Sequence, residues 1–267
     1  MNITIDNIDV NYRDEGEGRV ILLLHGWGAN ITLFDGIFNL LKDEYRVIAL
    51  DMPGFGKTKE PDTIWGVSEY TLFVIKFIEA LSLKEVILFG HSFGGRVSIL
   101  MASTDHANDT LYKRNFKISN LILADSAGIK PKRGFKYYFK VYSYKAGKAV
   151  LNFPLVKWLF PDALNEFKKG RGSADYAAAS DKMKAVLTKV VNLDLTDRLP
   201  LIKQDTLLIW GSNDTATPLS DGKKMEELIP NSGLAVINGV GHYSFLEGKA
   251  VFDRIMLSYL NSLKKEN

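Results

Sequence analysis

The sequence predicts an α/β fold organised around a mostly parallel sheet, and three observations carry that prediction. Short continuous apolar runs alternate with runs of helical period along the first hundred or so residues, the pattern of strands buried on both faces between helices. Val86-Ile87-Leu88-Phe89 passes through Gly90-His91-Ser92-Phe93-Gly94 into a second apolar-periodic stretch. That reads as a strand, a sharp turn and a helix, with Ser92 at the apex. Finally, polar glycine-containing loops follow the apolar runs, at Asp51 to Thr58, Gly211 to Asp214 and Asn238 to His242. In an open parallel sheet such loops line the edge where ligands bind.

Taken in order, Ile3-Thr4-Ile5 and Ile8 to Tyr12 read as a hairpin around Asp6-Asn7. Arg19 to Leu24 is a continuous apolar strand ending at His25-Gly26-Trp27-Gly28. Phe34, Ile37, Phe38 and Leu41 then recur at the spacing of an amphipathic helix. Tyr45 to Leu50 is the next strand, and the proline and glycines of Asp51 to Thr58 make the following stretch a loop. Ser68 is the expected cap of a helix whose buried stripe is Val74, Phe77, Ile78 and Leu81. After the Ser92 helix comes a polar connector, Thr104 to Lys117, and a strand, Ile118 to Ala124, ending at Asp125.

From Ile129 to Leu195 the strand pattern lapses. Helix-like segments replace it, such as Ser173 to Val191 with Met183, Val186, Leu187 and Val190 on one face. An insert of that length between sheet strands is expected to form a helical cap. This divides the chain into a core of residues 1–128 and 196–267 and a cap of residues 129–195. Thr206 to Trp210 and Leu234 to Ile237 resume the sheet, and Phe252, Ile255, Met256, Tyr259 and Leu260 share one face of a last helix.

Composition narrows the function. With 267 residues, 46% of them hydrophobic, the chain can bury a sizeable core. It contains no cysteine, which excludes disulfides, thiolate metal sites and a cysteine nucleophile. A net charge of +3 is too small to imply nucleic acid. The first residues lack the pattern of a signal peptide and no apolar run reaches membrane-spanning length, so a soluble, cytoplasmic protein is expected. Neither a G-x-G-x-x-G after the first buried strand nor a P-loop lysine motif is present. No nucleotide, other cofactor or metal is therefore expected.

Ser92, Asp214 and His242 follow three different strands, so a parallel sheet brings all three to one edge. Their order, together with His25-Gly26-Trp27-Gly28, the Asp51 to Thr58 loop and the Gly-x-Ser-x-Gly elbow, resembles the α/β-hydrolase superfamily over nearly the whole chain outside the cap. The resemblance implies the α/β-hydrolase fold: a mostly parallel central sheet flanked by helices, with the helical cap inserted before the strand that precedes the acid loop. It implies Ser92 as nucleophile, His242 as general base and then acid, and Asp214 as the acid that orients His242. The backbone N–H groups of Trp27 and Phe93 are the implied oxyanion hole. Asp125 also ends a strand and is the alternative acid, with a turn or cap role as its plainer reading. His25 and His91 are expected to bond loop backbone beside the site, and His106 to be solvated.

A serine at the elbow argues against relatives that use a carboxylate nucleophile, the haloalkane dehalogenases and epoxide hydrolases. Carboxylic ester hydrolysis is the leading expectation. Thioester hydrolysis, carbon–carbon bond hydrolysis, lactone opening and acyl transfer use the same groups, and a non-catalytic ligand receptor on the same scaffold is the alternative of another class. Between Lys130 and Arg171, lysine and arginine far outnumber Asp162 and Glu166, and aromatic residues are interleaved. This suggests an anionic or hydrophobic acyl substrate, or transient contact with a membrane surface. An ordinary solvated face over a packed cap is the plainer account. The oligomeric state is left open by the sequence.

Overall fold

A computed structural model of the protein describes residues 1–104, 111–130 and 179–265. The chain divides into two compact units, Met1–Lys130 with Ala185–Asn267, and Pro131–Lys184. Most of the cap expected over 129–195, with its basic and aromatic residues beyond Lys130, lies outside the described residues, as does His106.

The larger unit is built on eight strands: β1 (Asn2–Ile5), β2 (Ile8–Glu15), β3 (Val20–Leu24), β4 (Arg46–Leu50), β5 (Glu85–His91), β6 (Lys117–Ala124), β7 (Asp205–Gly211) and β8 (Ser232–Ile237). They lie in the order β1-β2-β4-β3-β5-β6-β7-β8. β1 and β2 form the expected hairpin and β2 runs antiparallel to β4. From β4 onward all neighbours are parallel. Leu22, Leu23 and Leu24 of β3 and Leu88 and Phe89 of β5 are fully buried, because helices cover both faces of the central strands.

Helix α1 (Asp35–Leu41) buries Ile37, Phe38 and Leu41, three of the four periodic positions; Phe34 lies in the 3-10 turn just before it. Helix α2 (Val67–Ala80) buries Val74, Phe77 and Ile78 as expected, while Leu81 caps the end and is only half-buried. Its start differs from expectation. Gly66, not Ser68, is the N-cap, and the Glu69 carboxylate reaches back to accept the Gly66 N–H at 2.6 Å. The helix thus begins two residues earlier than expected and leaves Ser68 inside it. Helix α3 (Phe93–Ala102) follows the elbow, and α4 (Asp181–Asn192) corresponds to the described end of the expected 173–191 helix, with Met183, Val186 and Val190 buried.

After β7 comes α5 (Leu219–Leu228), which the sequence did not suggest. It buries little besides Gly222 and Met225, so its apolar stripe is too thin to read. A short α6 (Ser244–Glu247) and the long α7 (Lys249–Lys265) close the chain. Phe252, Met256 and Leu260 of α7 are fully buried and join Phe34, Phe38, Phe89 and Phe245 in one cluster. Each such side chain contributes about 1.5–3 kcal/mol of burial. This cluster roots the carboxyl ends of β5 and β8 in a packed base. Among the described residues no helix is long and apolar enough to cross a membrane.

The elbow requires that α3 seat directly on the end of β3, and Gly94 permits it. A Cβ there would stand 2.0 Å from the Leu24 carbonyl oxygen, against backbone that cannot move aside. Gly94→Ala is expected to cost roughly 1–3 kcal/mol or more. Gly233→Ala, on the edge strand where a Cβ meets nothing within 4 Å, is the matched control and is expected to be neutral or slightly stabilising. Urea unfolding of the two variants measures the contrast; equal midpoints would contradict it.

Candidate active site

Ser92 sits between the end of β5 and the start of α3 at φ 52, ψ −113. This backbone region is unfavourable for any residue with a Cβ and costs on the order of 1–3 kcal/mol. Three backbone bonds hold it there: Ser92 N–H donates to the Ala124 carbonyl at 3.4 Å, and its carbonyl accepts from Arg96 at 3.2 Å and Ala127 at 3.0 Å. Although Ser92 occupies the N-cap, its hydroxyl makes no cap bond. The group is left free to face the loops after β7 and β8.

Those loops deliver the other two predicted residues. His242 Nε2 lies 3.0 Å from Ser92 Oγ, and His242 Nδ1 lies 2.8 Å from Asp214 Oδ2. An ionised carboxylate only accepts, so the proton on the ring belongs at Nδ1 and the Nε2 lone pair faces the serine hydroxyl. The Asp214 side chain is fully buried whereas that of His242 is 19% exposed. Asp214 Oδ1 accepts from the N–H groups of Ala216 at 2.8 Å and Thr217 at 3.0 Å, and the Thr217 hydroxyl lies 2.7 Å from Oδ2. Burial by itself would raise this carboxyl, but the bonds from His242 and Thr217 outweigh it and leave Asp214 below its ordinary range.

Asp125, the alternative acid, is not brought to the His242 ring. It is fully buried at the end of β6, with Oδ1 accepting from Gly211 N–H at 2.8 Å and Oδ2 from Ser244 N–H at 2.9 Å. Burial pushes it up to about 6. Asp214 reaches the ring because its loop continues β7, one strand nearer to β8 than β6 is.

Two histidines support the site from within, in the roles expected of them. His91 Nε2–H donates to the His242 carbonyl at 2.9 Å, and burial pushes His91 down to about 3, so it is neutral. His25 Nδ1–H donates to the Gly26 carbonyl at 2.7 Å while its Nε2 accepts from Met52 N–H at 3.0 Å. Because that peptide is trans, fixing the Gly26 carbonyl turns the Trp27 N–H the opposite way. Among the described residues nothing accepts from the Trp27 N–H or from the Phe93 N–H at the first position of α3. The two loops touch: a Cβ on Gly26 would lie 3.2 Å from the Ser92 Cβ. Trp27 and Phe93 also pack their rings together, with centroids 5.8 Å apart, and Phe55 fills the angle between them.

Asp51, in the loop after β4, secures the outer side of this region. It accepts from Asn11 Nδ2 at 2.7 Å, Ile31 N–H at 2.8 Å and Lys57 N–H at 2.8 Å. Sequence reasoning missed Thr217 and Glu247. The Glu247 carboxylate accepts from the N–H groups of Gly241 at 2.6 Å and Tyr243 at 3.3 Å, bracketing His242. The spacing of Thr217 three residues after Asp214 in a polar turn was the available signal for the first. Chemically, the arrangement couples a hydroxyl to a base and the base to a buried anion, beside two unsatisfied donors.

Residues 19–249 match the model of the alpha/beta hydrolase fold family. The chain is 28% identical to an uncharacterized hydrolase, YugF, of Bacillus subtilis (strain 168), over 90% of this chain and 89% of the relative. It is also 28% identical to a 2-hydroxy-6-oxononadienedioate/2-hydroxy-6-oxononatrienedioate hydrolase of Comamonas testosteroni, over 96% of this chain and 92% of the relative. Among solved structures, an esterase from Exiguobacterium antarcticum superposes with a TM-score of 0.72 at 26% identity, covering 97% of both chains.

The state of Asp214 has a consequence for stability. A carboxyl held below its usual value contributes stability that is present above about pH 4 and lost as pH falls through its folded value. Asp214→Asn is therefore expected to cost about 1–3 kcal/mol near neutrality and progressively less in acid. Urea unfolding of parent and variant along a pH series measures this; a cost that does not shrink in acid would contradict it.

Proposed function

The chain belongs to the α/β-hydrolase fold family, and from that membership we propose that it is a serine hydrolase cleaving a carboxylic ester or related acyl bond of a small molecule through Ser92, His242 and Asp214. The single observation that carries the reading is the relay of hydrogen bonds from Ser92 Oγ to His242 at 3.0 Å and from His242 to Asp214 at 2.8 Å.

In the proposed reaction His242 Nε2 takes the proton of Ser92 as Oγ attacks the carbonyl carbon. Asp214 stabilises the imidazolium this creates. The negative charge moves to the carbonyl oxygen, where the N–H groups of Trp27 and Phe93 stabilise it by about 2.7–4 kcal/mol for each donor. The intermediate collapses by expelling the alcohol, which leaves with the proton from Nε2, and Ser92 remains acylated. Water then gives its proton to His242 and attacks the acyl group, and the proton returns to Ser92 as the acid departs.

A second reading, hydrolysis of a carbon–carbon bond, is favoured by the likeness to the Comamonas testosteroni hydrolase. It uses the same serine and histidine, but the leaving group is a carbon acid that must be protonated at carbon. The ester reading comes first because its leaving oxygen accepts a proton directly from His242.

A fluorophosphonate is expected to label Ser92 in the parent protein and to fail with Ser92→Ala and His242→Ala. Asp214→Asn should lower kcat by as much as about 10⁴-fold with the fold intact. Parent protein that neither labels nor turns over an activated ester near neutral pH would favour the non-catalytic receptor. Side-by-side assays with para-nitrophenyl acetate and a 2-hydroxy-6-oxo-dienoate separate the two readings. A kcat/KM larger for the ester is expected, and the reverse would move the assignment to carbon–carbon hydrolysis.

A further inference from the structure

Asp125 is a buried carboxylate at this edge of the sheet that the proposed reaction leaves without a task, and its backbone is strained. It adopts φ 45, the left-handed region, like Ser92 on the neighbouring strand at φ 52. The two strained turns are adjacent: His91 pairs with Ala124 in the β5–β6 register, and Ser92 N–H donates to the Ala124 carbonyl. Strain in a residue with a side chain persists only where the surroundings impose it, and it concentrates at functional positions.

The contacts of Asp125 all lead to the relay. Oδ1 accepts from Gly211, three residues before Asp214, and Oδ2 accepts from Ser244, two residues after His242. Its own carbonyl lies 3.0 Å from the Thr217 hydroxyl, the same group that stands 2.7 Å from Asp214 Oδ2. One side chain, projecting from the strand between them and the nucleophile, thus grips the backbone of both loops. From these contacts we infer that Asp125 is a positioning residue, whose ionised carboxylate clasps the Asp214 loop to the His242 loop and sets their spacing for proton transfer. The inference rests on the serine-hydrolase reading above.

The chemistry of the group fits this task better than that of a filler. Two backbone donors aimed at two oxygens need two acceptors, which a carboxylate supplies and an amide does not, since its NH₂ would confront one of the N–H groups. Keeping such a group ionised in a buried site is unfavourable, and burial accordingly pushes it up to about 6. An apolar or neutral residue would avoid that cost. The titratable groups around it are Asp214, which raises it further, His242 and Glu247 on the loop that Ser244 belongs to, and His91 at the end of β5, neutral throughout with its own value near 3.

The clasp has a pH signature. As pH falls through about 6 Asp125 takes up a proton, and one oxygen that faced a donor becomes a donor itself. Activity therefore drops as Asp125 is protonated and its grip on the two loops is lost. Stability moves oppositely: because the folded value lies above the ordinary 3.8, the folded state binds this proton more tightly, and its contribution to stability falls as pH rises from about 4 to about 6.

The test uses the full chain with para-nitrophenyl acetate, measuring kcat and KM across pH, with fluorophosphonate labelling and thermal unfolding on the same samples. For Asp125→Asn, kcat is expected to fall roughly 10- to 100-fold with KM within about twofold, as for misplacement of reacting groups. Labelling should slow in proportion yet reach the same end point. The acid limb of the parent should be steeper than that of the variant, which has lost the Asp125 protonation. A variant with parental kcat and acid limb overturns the clasp. If the variant does not fold, Asp125→Glu decides, because parental kcat with the carboxylate displaced by one methylene overturns the clasp. Parent protein that does not label at all overturns the serine-hydrolase reading and the clasp with it, whereas intact labelling with an unchanged variant overturns the clasp alone.

Discussion

The first turn of α3 approaches the sheet more closely than any side chain would allow. A Cβ on Gly94 would stand 2.0 Å from the Leu24 carbonyl oxygen and one on Gly95 would stand 1.9 Å from Ser126 Oγ. That contact lodges the elbow between the loop after β3 and the turn after β6. It is why Ser92 touches both the loop of Gly26 after β3 and the turn around Asp125 after β6, although the three belong to different strands. The strain at Ser92 is sustained by bonds to β6 and by the aromatic cluster beneath β5, which give the turn no room to relax. Loosening this one approach would separate the Ser92 hydroxyl from the His242 ring and the two candidate oxyanion donors from each other.

Around that contact the protein places ionisable groups where water cannot reach them, and each is assigned to backbone. His25 orients the Gly26 peptide, His91 holds the His242 carbonyl, Asp51 gathers the N–H groups of Ile31 and Lys57, and Asp125 those of Gly211 and Ser244. Loops at the carboxyl edge of a parallel sheet leave many main-chain groups without ladder partners. Side chains with fixed donors or acceptors complete them and convert mobile connections into a rigid frame. Arg96, one turn beyond Ser92, does the same for the segment returning to the sheet by donating to the Leu193 carbonyl. In the proposed reaction the frame matters because misplacing a reacting group by about 1 Å can cost about 10²-fold in rate.

In the proposed reaction, the relay and the two free donors are indifferent to what leaves the carbonyl carbon. One fold hosts different leaving groups, and proteins similar to this chain include an esterase and hydrolases named for dienoate substrates. Discrimination belongs to groups that contact the two sides of the scissile bond. In the larger unit the side chains of Trp27, Phe55 and Phe93, packed beside the candidate oxyanion donors, are the ones closest to that role.

The strands and most core helices were legible because burial on both faces writes long apolar runs, as in Val20 to Leu24, and helical burial writes a period, as in Phe34 to Leu41. The elbow was legible too, since close backbone approach demands glycine at fixed offsets from Ser92. What stayed hidden was whatever depends on backbone partners. Gly66 replaced Ser68 as a cap because Glu69 could reach its N–H, and α5 escaped notice because it buries only a thin stripe against Trp210. The sequence by itself determined which residues could form the relay, for their chemical types and chain order are local properties. Which of Asp214 and Asp125 lies against the His242 ring was decided only by tertiary structure. Both end strands at the same sheet edge, and strand order alone puts β7 beside β8, within reach of the His242 ring, and leaves β6 one strand away, bonded to the backbone of both loops.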